Sequence, residues 1–125
     1  MLSKENVKTI APYLGQAILS VELKNDEDCR IIVDNPLLPA LNLADHGQDC
    51  CETRWMSTDD DLAYYAGATL LDITVDPIPN TDPENGDVLE IAFLRIHTDR
   101  GIIVFANHNA HNGYYGGFSI TATTR

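Results

Sequence analysis

Hydrophobic and polar residues alternate between positions 16 and 24. Ala17, Leu19, Val21 and Leu23 fall on one side of an extended backbone, and Ile18, Ser20, Glu22 and Lys24 on the other. A period of two is the signature of a strand with one buried face. The polar run Asn25-Asp26-Glu27-Asp28 predicts a turn, with residues 29–34 as its hairpin partner. Cys29, Ile31 and Val33 share a face of that partner, so Cys29 reads as a small core hydrophobe. Asn35-Pro36 and Pro39 punctuate the next stretch, and residues 40–44 predict a third short strand. Nearer the start, residues 3–11 fit a short helix with Ser3 as N-cap, Val7, Ile10 and Ala11 on one face, and Pro12 as its stop.

In the second half, Ser57 and Thr58 precede Asp59-Asp60-Asp61 and an apolar run that ends at Gly67. A hydroxyl at the start, acids in the first turn and a terminal glycine predict a helix of about two turns. This placement makes the acid triplet a helix start rather than a metal site. Strand character resumes over 68–75, and the proline- and acid-rich run 76–87 predicts an exposed loop whose spacing fails the EF-hand template. Residues 88–97 carry apolar groups on both faces, as a central strand would, and a turn over 98–101 leads into a strand over 102–107. A loop over 108–113 and a last strand over 114–123 complete the pattern. Together these elements predict an α+β fold in a single domain (1–125), mainly an antiparallel β-sheet with one or two short helices.

Composition narrows the function classes. The 125 residues hold 19 acidic against 8 basic groups, a net charge of −11, which repels nucleic-acid phosphate and suits a basic protein partner or a nucleic-acid mimic. No apolar run approaches the ~20 residues that span a bilayer, and the first residues lack a basic-then-apolar signal, so no membrane partner and a cytoplasmic location are expected. Three cysteines, two of them adjacent, do not form a secreted disulfide framework.

Chemistry concentrates in residues 45–55, which hold the one Trp, two of the three Cys and one of the four His. Zinc could draw on Cys50, Cys51, His46, His108 and His111. Adjacent cysteines on an extended chain point to opposite faces, however, and a Cys-x-x-Cys is missing, so no cofactor is expected. A Cys50 or Cys51 nucleophile with His46 as base and Asp49 or Glu52 as orienting acid is an alternative. The surrounding carboxylates disfavour the thiolate it needs. Read purely as structure, the stretch is a polar turn entering a strand, with Trp55 in the core and Asp49 or Glu52 bonded to backbone amides.

The run Gln48-Asp49-Cys50-Cys51-Glu52, the earlier Leu14-Gly15-Gln16-Ala17-Ile18 with Val21-Glu22, and the late Asn112-Gly113-Tyr114-Tyr115 resemble a family of small, uncharacterised proteins encoded by bacteriophages and prophages. This resemblance implies a phage origin and a β-rich fold, and carries over no catalytic residue. The chain departs from the family pattern at Gly47, where an acidic residue is usual. The expected function is a non-enzymatic binder that inhibits a host protein or sequesters a small signal such as a nucleotide. Its site would comprise His46, Asp49, Cys50, Cys51, Glu52, Arg54, Trp55, Asn112, Tyr114 and Tyr115. Arg54, Arg95 and Arg100 are the candidate partners for phosphate. An exposed edge strand and the paired tyrosines would suit a homodimer.

Overall fold

The structure, a computed structural model, describes residues 2–46, 52–77, 88–111 and 117–125. Within them the chain forms helix α1 (Lys4–Ile10) and strands β1 (Ile18–Lys24), β2 (Asp28–Val33), β3 (Leu41–Asp45), β4 (Thr53–Ser57), β5 (Leu70–Pro77), β6 (Val88–Thr98), β7 (Gly101–His111) and β8 (Ile120–Thr124). Two short 3-10 turns, Ala11–Tyr13 and Leu62–Tyr65, complete the set. The strands pair antiparallel in two four-stranded sheets, β1-β2-β3-β8 and β4-β7-β6-β5. Inward residues of the first sheet, such as Ile31, Leu41 and Leu43, join Leu70, Leu94, Ile96, Ile103 and Phe105 of the second in one apolar cluster. The two sheets therefore enclose a single core. Among the described residues, no helix is long and apolar enough to cross a membrane.

The β1–β2 hairpin forms where the polar run predicts it. Asn25 and Asp26 both take left-handed backbone angles, as a type I′ turn requires, and Glu27 N–H bonds Lys24 C=O at 3.0 Å. Cys29, Ile31 and Val33 are buried as the alternation predicts. Burial and the nearby charge of Asp28 push the Cys29 thiol well above its ordinary pKa. In β1 the strict alternation fails, because a register shift between Ile18 and Ser20 turns both Ile18 and Val21 inward and leaves Leu19 half exposed.

Three other expectations are corrected. Residues 57–67 do not form a two-turn helix. Ser57 belongs to β4, Thr58 Oγ1 donates to Val104 C=O at 2.7 Å, and Asp60 Oδ2 accepts from Val104 N–H at 2.7 Å. These side chains continue the β4 pairing along β7, so the segment is drawn out and only Leu62–Tyr65 coils. The loop placed at 108–113 begins too early, since β7 runs to His111 opposite Val88. In β6 only one face is buried, with Ala92, Leu94 and Ile96 inside while Leu89, Ile91 and Phe93 stay partly exposed.

Corner contacts fix the two sheets together. Gly15 N–H bonds Leu70 C=O at 2.7 Å, Leu70 N–H bonds Gln16 C=O at 2.9 Å, and Ile18 N–H bonds Ala68 C=O at 2.7 Å. At another corner Met56 N–H of β4 donates to Asp26 C=O in the hairpin turn at 2.7 Å. Gly67 sits at φ +91°, a left-handed conformation that residues with a Cβ rarely adopt, which explains why the turn into β5 uses glycine.

Helix α1 starts as expected, with Ser3 Oγ accepting from Asn6 N–H at 3.2 Å, but Val7 lies on the solvent side. The inward positions are Asn6 and Ile10. Pro12 ends the α-helix and enters the 3-10 turn at its first positions, where a missing N–H is harmless. Asn6 Nδ2 donates to Ile120 C=O at 2.8 Å and its Oδ1 accepts from Ala122 N–H at 3.0 Å, so one buried amide pins the helix to edge strand β8. Asn6→Ala should leave two buried backbone groups unpaired and lower stability by about 1–3 kcal/mol in urea denaturation. An unchanged midpoint would show that the amide does not anchor the helix.

Candidate functional site

β7 changes character along its inward face. Ile103 and Phe105 belong to the apolar core, whereas Asn107, Asn109 and His111 are polar and buried. A buried polar row must find partners, and these come from both sheets. Arg54 on β4, opposite Asn109, places Nη1 2.6 Å from Asp45 Oδ2 on β3 and Nη2 2.6 Å from Glu52 Oε2. Asn109 Nδ2 donates to the same Glu52 oxygen at 2.7 Å, and Arg54 Nη1 also donates to Gly117 C=O at 3.0 Å. Asp45 Oδ1 accepts from Ser119 N–H at 2.9 Å. His111 Nε2 lies 2.6 Å from Glu90 Oε1, which also accepts from Gly117 N–H at 3.1 Å.

The side chains of Arg54, Asp45 and Glu52 are 7%, 9% and 0% exposed. Burial opposes the guanidinium's charge, but the hydrogen bonds and charges of Asp45 and Glu52 outweigh it and push the Arg54 pKa up. The group is thus a fully charged clamp between β3 and β4 rather than a free cation. Arg95 is likewise engaged, paired with Asp76 and lying 5.3 Å over the Phe93 ring. Arg100 donates to Tyr64 C=O at 3.1 Å and Ala66 C=O at 2.8 Å. All three arginines expected to bind phosphate thus have partners within the fold.

Beside the clamp lies a recess of about 230 Å³ lined by Glu27, Asp28, Ala44, Asp45, His46, Arg54, Trp55, Met56 and Asn107. It brings His46, Arg54 and Trp55 together, as expected from the sequence, and adds Glu27 and Asp28 from the hairpin turn. Trp55 is not in the core. β4 alternates, so Arg54 and Met56 turn inward while Trp55 is 37% exposed, stacked on His108 at 4.7 Å and 6° between planes. Glu52 meets the side chains of Arg54 and Asn109.

His108 and His111 cannot share a metal ion, because residues three apart on a strand face opposite sides of the sheet. Among the described residues, no group of three or more His, Cys, Asp or Glu is arranged to hold one. Asp49, Cys50, Cys51, Asn112, Tyr114 and Tyr115 lie outside the described residues. His108 as the stacking partner of Trp55 was missed, although the alternation of residues 102–111 already signalled a longer strand. Ser57 Oγ lies 2.9 Å from His108 Nε2. Among the described residues no carboxylate is bonded to the other ring nitrogen.

The family model of a domain of unknown function, DUF7448, matches residues 8–121, and the chain belongs to that family. No curated protein and no solved structure matches it significantly.

Arg54→Met should strand two buried carboxylates and destabilise the protein by about 3–5 kcal/mol in urea denaturation. A loss below 1 kcal/mol would mean that the clamp is dispensable. Burial lowers the His108 pKa from its ordinary 6.5, so between those two values the unfolded chain holds the proton more tightly. The contribution of His108 is full above pH about 6.5 and declines as pH falls towards the folded-state value. His108→Gln should flatten that part of the stability–pH profile, and an unaltered slope would exclude the effect.

Proposed function

We propose that the chain is a phage-encoded, non-enzymatic binding protein that engages host machinery by taking a basic side chain of a host protein into the recess beside Trp55. One observation carries this reading: a partly exposed indole lines a recess whose free charges are acidic. Glu27 and Asp28 form no ion pair with any described residue, whereas Arg54, the one arginine or lysine among the described residues that line the recess, is already held by Asp45 and Glu52. A lysine or arginine entering there would meet two carboxylates and an aromatic face, each of which favours a cation.

The surroundings also suit a protein partner. Outward residues of the second sheet place Ile91, Phe93 and Ala106 near the Trp55–His108 stack, giving a partly exposed apolar field next to the acidic recess. Protein interfaces commonly centre on such an aromatic anchor, ringed by weaker contacts that exclude water. The net charge of −11 would steer a basic partner in from a distance. A nucleotide signal is supported less at this recess, since Arg54, Arg95 and Arg100 are all engaged within the fold.

Affinity capture from a bacterial host lysate, followed by binding measurements on the captured protein, tests the proposal. Trp55→Ala should weaken binding by about 2 kcal/mol or more, the scale of an aromatic hot spot. Glu27→Gln with Asp28→Asn should slow association and flatten its salt dependence. A partner that binds both variants as tightly as the original chain would rule the recess out.

A further inference from the structure

The outer face of the first sheet carries a second candidate site, adjoining the recess, in which cations outnumber carboxylates. We infer that the outer face of the first sheet binds a small organic phosphate. Strand register lines up Glu22, Arg30, Asn42 and Thr123 across β1, β2, β3 and β8. Arg125 follows on the same face, fixed by paired backbone bonds to Ala40 at 3.0 and 3.1 Å. Lys24 and Asp28 form the neighbouring row towards the hairpin turn. A groove of about 510 Å³ runs over these rows, within the roughly 300–1,000 Å³ typical of small-molecule sites.

Three of the chain's eight cations, Lys24, Arg30 and Arg125, line this groove in a protein of net charge −11. The other cavities described carry more carboxylates than cations: Glu27, Asp28 and Asp45 against Arg54 in the recess, and only Asp59 with Asp60, Asp76 or Glu90 in the rest. The cations of the groove are also only weakly engaged. Arg30 and Arg125 form no ion pair with a described residue, the Arg30 Nε is buried with no acceptor, and Lys24 has only a loose 4.0 Å contact to Glu22 with both side chains about half exposed. Unlike Arg54, Arg95 and Arg100, they are not needed to close the fold.

The groove is polarised. Arg30, Arg125, Asn42 and Thr123 gather at one end, while Glu27, Asp28 and His46, with Lys24, sit at the hairpin-turn end, where the groove adjoins the recess. An anion is favoured at the first end and an amino or other hydrogen-bond-donating group at the second. A phosphate monoester carries about −1.5 to −2 at neutral pH, which matches two arginines better than the single charge of a carboxylate. The volume exceeds what a bare phosphate fills, so the ligand is an organic ester.

Amide NMR titration of the whole chain with adenosine monophosphate, ribose phosphate, adenosine and succinate tests this. Both phosphate esters should shift the amides of Arg30, Asn42 and Thr123, and adenosine should not. Arg30→Gln combined with Arg125→Gln should weaken the response roughly tenfold or more. Thr123→Val provides a milder variant should the double one disturb the spectrum, and it should weaken the response several-fold. Shifts produced by succinate but not by the phosphate esters would overturn the phosphate assignment. Equal affinity in the variants, or no groove shifts at millimolar ester, would overturn the site. None of these variants touches Trp55, Glu27 or Asp28, so failure here leaves the host-protein recess standing.

Discussion

The buried guanidinium of Arg54 is the constraint on which the rest of this structure depends. Two sheets that share one apolar core could slide over each other, because hydrocarbon contact has no direction. A charge with partners at 2.6 Å on β3 and at the start of β4 does have direction. Desolvating such a group is costly, and the cost is offset only when its hydrogen bonds are nearly complete. Asp45 is therefore fixed in turn by Ser119 and Glu52 by Asn109, which accounts for the switch from phenylalanine to asparagine along one face of β7.

Local sequence disclosed the elements whose causes are local. The Asn25-Asp26 turn, the Ser3 cap and the inward set Cys29, Ile31 and Val33 arise from neighbouring residues and are found where expected. The misses within the strands come from pairing across the chain. Leu19 turns outward because of a bulge that only its partner strand defines, and Asp60 abandons a helix because β7 offers it an amide. Asn109 and His111 looked like loop because polarity was taken as exposure, yet they are polar inside a strand whose partners are remote in sequence. Of the candidate site, the convergence of His46, Arg54 and Trp55 was legible. The exposure of Trp55 and the internal engagement of Arg54 were not, since both depend on which face of β4 turns inward.

Charge is distributed unevenly for reasons the fold supplies. Arg54, Arg95 and Arg100 act as cross-links, joining strand to strand or turn to turn, and each is neutralised or bound to carbonyls. Among the cavities lined by described residues, cations outnumber carboxylates in the groove over the first sheet, which adjoins the acidic recess. The same sequence count, 8 cations against 19 acids, thus covers two adjoining concavities of different charge balance rather than a uniform shell.

Cys29 lies wholly within the core, and its thiolate is strongly disfavoured there. Alkylating reagents need the ionised sulfur and an open path, so in the native protein this atom is chemically silent. It becomes a built-in clock. The rate at which a label reaches Cys29 measures how often the hairpin comes away from its neighbours, without any engineered probe.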